Sequence, residues 1–197
     1  AEIGSTEVMG AFARTLAVIV NGEISQLFNR KKATSQEDYL ERIYEKTGSL
    51  FVLATRSPAL LSGASSVQEK AAVTYGKEVG KAFQIIDDVL DFTGERETIG
   101  KPIGSDLRHG VITLPTLYYQ EIAPEDQDLK KLLNGKYDHA VFQEVLENIK
   151  ESGAVERALK DARKYSAQAL QALEVLPEGQ ERTALKELAE YIVDRQR

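Results

Sequence analysis

The sequence predicts an all-α protein, and three observations carry that reading. Apolar residues recur three or four positions apart through most of the chain, the spacing of a helix with one buried face. No stretch sustains the apolar–polar alternation of a half-buried strand, and no internal repeat is evident. Serines, threonines, prolines and glycines fall where helices would begin and end.

In chain order, Ser5 or Thr6 can cap a first helix whose residues Val8, Phe12, Leu16, Ile19 and Val20 keep helical spacing, to about Asn29. Ser35-x-x-Asp38 reads as a capping box for a helix containing Tyr39, Leu40, Ile43 and Tyr44, which runs on into Lys46-Thr47-Gly48-Ser49-Leu50-Phe51. Pro58 and the run Ser62-Gly63-Ala64-Ser65 are expected to end or kink it. Ser66-x-x-Glu69 then reads as the capping box of a long helix reaching Phe92, with Gly94 expected as a left-handed cap. Gly100-Lys101-Pro102-x-Gly104-Ser105-Asp106-Leu107 cannot continue that helix and forms a returning loop, after which Pro115 opens the next helix. Leu117, Tyr118, Tyr119 and Ile122 line that short helix, and Pro124-Glu125-Asp126 restarts another. Asn134-Gly135 marks a turn. His139, Val141, Phe142, Val145, Leu146 and Ile149 define a helix ended by Ser152-Gly153. An alanine-rich helical stretch covers Ala154 to Leu176, Pro177-Glu178-Gly179 breaks it, and Arg182 to Gln196 forms a last helix with Leu185, Leu188, Ala189 and Ile192 as its buried stripe.

The chain is 197 residues long and 42% hydrophobic, enough for a sizeable core in one domain, 1–197. It has no cysteine, so disulfides and thiolate metal sites are excluded. A net charge of −6, with acidic and basic residues interspersed, argues against nucleic acid as a partner. The apolar runs Ala11 to Val20 and Leu50 to Leu61 contain Arg14 and Arg56 and fall short of the roughly 20 apolar residues of a membrane span. The first residues lack the features of a signal peptide. The expectation is a cytoplasmic protein without a membrane span that binds small ligands.

The chemistry concentrates at Asp87-Asp88-x-x-Asp91. At about 100° per residue, Asp87, Gln84, Asp91 and Asp88 share one arc of roughly 100°, while Phe83, Ile85, Ile86, Val89, Leu90 and Phe92 fill the rest of the circumference. Three carboxylates on one face repel one another, and a hard divalent cation, Mg²⁺ first, would hold them ionised together. A solvated acidic stripe is the alternative, and the bare pattern leaves both open. Gly76 and Gly80 fall near the Asp87 direction, a bare strip that leaves room for an apolar ligand or for close approach of another helix.

GKAFQIIDDVLDFTG followed by GKPIGSDLRHGVITLP resembles the second aspartate-rich motif, with its trailing loop, of the trans-isoprenyl (polyprenyl) diphosphate synthases. The resemblance implies a helical bundle of the isoprenoid synthase type and head-to-tail prenyl transfer: an allylic diphosphate ionises, its carbocation alkylates isopentenyl diphosphate, and a proton is lost. It implies Mg²⁺ held by Asp87, Asp88 and Asp91. Lys46, Thr47 and Lys101 would meet the diphosphate, and Gln84 would steady the cationic end through its amide oxygen. Glu23 and Gln26 resemble a Gly-Glu-x-x-Gln stretch on a helix lining the family's cleft, with ordinary helix packing or a buried hydrogen bond as the other reading. Family members commonly form homodimers, and the first helix is a reasonable interface. His109 and His139 are read as non-catalytic.

The resemblance covers essentially the whole chain but only the later and larger part of a family member. No second Asp-Asp-x-x-Asp occurs in these residues, and Val111 stands where the family often has lysine. The leading expectation is therefore a fragment of a longer-chain polyprenyl synthase that turns over poorly alone. A non-catalytic subunit of a heteromeric synthase is the alternative. A terpenoid cyclase is a third, against which the 100–115 loop speaks.

Overall fold

The computed structural model describes residues 3–28, 35–94 and 103–195, and leaves the side chains of Leu27 and Phe28 undescribed. Its helices are α1 (Thr6–Phe28), α2 (Gln36–Ile43), α3 (Ser49–Leu61), α4 (Ser66–Thr93), α5 (Ser105–Arg108), α6 (Leu114–Ile122), α7 (Gln127–Leu133), α8 (His139–Glu151), α9 (Ala154–Ala172) and α10 (Gln180–Asp194). A π-helical turn, Tyr44–Gly48, joins α2 to α3, and a 3₁₀ turn, Leu173–Val175, follows α9. No strand occurs among the described residues.

Helix α4 is the axis of the bundle. It packs against α3 on one side and α9 on another, and α6, α10 and the π turn also lie on it. Tyr75, Val79, Ala82, Ile85, Ile86, Val89 and Phe92 are all buried along it, a stripe too wide for a surface helix and suited to one surrounded by neighbours. Small residues bring α3 close. A Cβ on Gly76 would lie 2.7 Å from the Phe51 carbonyl oxygen, and one on Gly80 would lie 2.7 Å from the Gly48 Cα. The bare strip is therefore filled by another helix.

Several boundaries differ from the sequence expectation, each for a local reason. Ser65, in extended conformation, caps α4 and exchanges hydrogen bonds with Gln68, while Glu69 instead pairs with Arg56 of α3 at 2.8 Å. Gly94 ends α4 in extended rather than left-handed conformation, with its N–H on the Leu90 carbonyl. Pro58 sits inside α3, which stops at Leu61 where Gly63 turns left-handed and the Ala64 N–H bonds the Ala59 carbonyl. The motif loop contains one helical turn, α5, entered through left-handed Gly104. On α10 Ala189 and Ile192 are buried and Leu185 is half-buried against the core, while Leu188 is exposed.

Helix α1 lies on α3 and the π turn. By length and composition alone its Thr6–Gln26 segment, with a mean hydropathy of 1.2, is apolar enough to cross a membrane. Phe12, Leu16, Val20 and Ile24 are exposed along it, whereas Ala11 and Gly22 are buried.

Candidate active site

The site lies where the π turn, the C-terminal half of α4 and the segment 104–113 meet. Gln26, Arg42, Ile43, Lys46, Gln84, Asp88, Asp106, Val111 and Thr113 line a small cavity there, of about 40 Å³. The π turn widens the helix at Lys46 and Thr47, and such one-turn bulges often re-aim side chains at functional sites. Gly22 lets α1 come close, since a Cβ there would lie 2.8 Å from the Glu45 Cβ.

The three aspartates have different environments. Asp87 is exposed, with Nη2 of Arg195 at 3.8 Å. Asp88 is 4% exposed, and both of its oxygens are engaged: the Tyr39 hydroxyl donates to Oδ2 at 2.7 Å and Gln84 Nε2 donates to Oδ1 at 2.9 Å. Burial pushes its pKa up to about 7, against the opposing pull of those two hydrogen bonds, and the neighbouring Asp106 carboxylate adds to the rise. Burial, and then the Asp88 carboxylate, likewise push the Tyr39 phenol well above its ordinary range. Asp91 accepts the backbone N–H groups of Ser105 and Asp106 at 3.0 Å each, while its carbonyl accepts the Gly104 N–H at 2.7 Å. Asp91 thereby staples the returning segment onto α4.

No group of three carboxylate or imidazole side chains among the described residues is arranged to hold a metal ion. The donor chemistry nonetheless suits Mg²⁺, which takes one or two carboxylates and completes its shell with phosphate oxygens and water. The exposed Asp87 carboxylate meets that requirement. Asp88 and Asp91 share the helix face but spend their oxygens on internal hydrogen bonds.

Among the other expected residues, Thr47 and Gln84 are joined: the Thr47 hydroxyl donates to Gln84 Oε1 at 2.8 Å, so that Gln84 bridges Thr47 and Asp88. The amide oxygen expected to face the substrate is thus held by Thr47. Lys46 Nζ lies 3.6 Å from Glu23 Oε1, with both side chains about half exposed, a solvent-screened pairing that holds the lysine only weakly. Gln26 reaches the cavity, so the α1 motif does face the site. Lys101 lies outside the described residues. His109 is exposed, with Nδ1 at 2.7 Å from the Ser105 carbonyl oxygen, away from the aspartates' hydrogen bonds.

Residue reasoning missed Tyr39, Arg42, Asp106 and Thr113 as parts of this site. Arg42 had a readable signal, since it lies one helical turn before Lys46. Its Nη2 donates to the Ile112 carbonyl at 2.5 Å, and its guanidinium stacks on the Tyr39 ring at 5.5 Å.

A central helix bearing the acidic face, a segment stapled to its last aspartate and a Lys-Thr π turn beside it make up the candidate site of this all-α bundle. Comparison with known proteins specifies the family. The polyprenyl synthetase family model matches residues 1–149, and the chain belongs to that family. Octaprenyl diphosphate synthase of Haemophilus influenzae is 33% identical over 99% of this chain and 60% of its own length. Heptaprenyl diphosphate synthase component 2 of Bacillus subtilis is 35% identical over 91% of this chain and 52% of its own. A polyprenyl synthase of Caulobacter crescentus, solved with calcium and isoprenyl diphosphate, superposes with a TM-score of 0.92 at 35% identity, covering 100% of this chain and 61% of that one. The chain thus spans about half to three-fifths of the length of these relatives.

Proposed function

We propose that this chain carries the allylic-diphosphate side of a prenyltransferase site, in which an allylic diphosphate is condensed with isopentenyl diphosphate to extend a long-chain polyprenyl diphosphate with the help of Mg²⁺. The observation that carries the reading is the meeting of Lys46 and Gln84 with Asp88, the buried member of the acidic face, around one cavity, in a chain of this family. When bound, Mg²⁺ would neutralise charge that builds on the departing diphosphate, and Asp87 is the residue suited to hold it. Lys46 offers that diphosphate a point charge once it leaves Glu23. Thr47 and Tyr39, acting through Gln84 and directly, keep Asp88 oriented beneath the face.

The test is calorimetric titration of the chain with an allylic diphosphate, with and without Mg²⁺, beside Asp87→Ala. Binding that needs Mg²⁺ and is lost in the variant supports the reading. Binding of equal strength in both proteins removes Asp87 from the site.

A further reading, that two chains pair through α1, is favoured by the exposed Phe12, Leu16, Val20 and Ile24 and by the naming of the Bacillus subtilis relative as one component of its synthase. Sedimentation equilibrium of the pure chain separates a homodimer from a subunit that waits for a different partner.

A further inference from the structure

Thr113 occupies the N-cap position of α6 in extended conformation, where a threonine ordinarily uses its hydroxyl to cap the helix. Here it makes no cap bond. Its Oγ1 is buried and has no hydrogen-bond partner among the described residues, although the side chain lines the site cavity. A buried hydroxyl without a partner costs stability, and it persists most simply where a ligand supplies the missing bond.

Arg42, which lines the same cavity, presents a guanidinium that the Ile112 carbonyl grips through one N–H and the Tyr39 ring backs. Those contacts fix the plane of the group and leave further donors on the same cavity wall, which suits a planar fork meant for phosphate oxygens. Val111, which also lines the cavity, contributes only methyl groups, so the cationic groups there are Arg42 and Lys46, beside the carboxylates of Asp88 and Asp106.

We propose that Arg42 and the Thr113 hydroxyl form a diphosphate-binding pair, donating to oxygens of the diphosphate that Lys46 also meets. The inference rests on the proposed prenyltransferase reading and adds two ligand-binding residues to it. Arg42 also ties α2 to the segment before α6, so its replacement disturbs structure as well as binding. Thr113 separates the two effects. Valine has nearly the same shape, accepts the same extended backbone and removes an unsatisfied polar atom.

The experiment measures inorganic pyrophosphate and a short allylic diphosphate by calorimetry with Mg²⁺ present, together with the melting temperature of each ligand-free protein. The proteins are wild type, Thr113→Val, Thr113→Ser, Arg42→Gln and Thr116→Val. Thr116 supplies the control, because its Oγ1 is likewise buried without a partner among the described residues but does not line the cavity. The expected result for Thr113→Val is affinity lower by about tenfold, the scale of one hydrogen bond to a charged group, with an unchanged or higher melting temperature. Thr113→Ser retains affinity, Thr116→Val leaves it unchanged, and Arg42→Gln lowers it. Wild-type binding that Thr113→Val and Arg42→Gln both leave intact overturns the pair and spares the prenyltransferase reading. Absence of binding by the wild type to either ligand overturns both.

Discussion

Replacing Gly76 with alanine tests whether the glycine strip on α4 serves helix packing. The added Cβ would lie 2.4 Å from Thr55 Oγ1 and 2.7 Å from the Phe51 carbonyl oxygen. Thr55 cannot yield freely, because its hydroxyl donates to the Ala72 carbonyl at 2.7 Å, and the Phe51 carbonyl belongs to the backbone of α3. The helices must therefore separate by several tenths of an ångström. Overpacking of this kind costs up to about 3 kcal/mol, and alanine returns about 1 kcal/mol through its better helix propensity. The net expectation is a loss of about 2 kcal/mol, or a fall of about 4–8 °C in melting temperature for a chain of this size. Circular dichroism melts of the two proteins provide the assay. A melting temperature that is unchanged or raised would refute the packing argument, because alanine in an open groove gains propensity without a clash.

Three further outcomes follow from the same structure. Tyr39→Phe removes a donor from buried Asp88. Because the folded-state pKa of Asp88 is raised to about 7 from 3.8, the native protein holds its proton longer than the unfolded chain, and the group's contribution to stability falls as pH rises from about 4 through 7. The variant should cost about 1.5–3 kcal/mol at pH 8, where the carboxylate is charged, and clearly less at pH 5. Urea unfolding in chelator at the two pH values checks this, and equal costs would contradict it. Gly104→Ala forces alanine to φ +69° and puts its Cβ 2.8 Å from Phe142 Cζ, so a loss of at least about 1–2 kcal/mol is expected in thermal melts. Lys81→Met strands Glu78, whose partner at 3.1 Å is nearly as buried as itself. A loss of about 3–5 kcal/mol is expected, with substantial recovery in Glu78→Leu/Lys81→Met, and a double variant no better than the single one would sink the idea.

Helix order, the central acidic helix and the family were legible because period, caps and an ordered motif are local properties of sequence. Lys46, Thr47 and Gln84 could be nominated from the same motifs, and Gln26 from its place on the first helix. Boundaries slipped where two candidates competed, as at Ser65 and Ser66, since the choice depended on whether Glu69 was needed by Arg56 across the helix pair.

What the sequence by itself determined is the angle at which each side chain leaves its own helix, and that placed three aspartates together on one arc. Only the tertiary structure decided what covers that arc. Tyr39, 49 positions earlier, takes Asp88 into the core, the returning segment takes both oxygens of Asp91, and Asp87 stays in solvent. Arg42 meets Ile112 across 70 positions in the same way. Period fixes direction around one axis, whereas burial, hydrogen-bond partners and the raised pKa of Asp88 depend on which other helix arrives there.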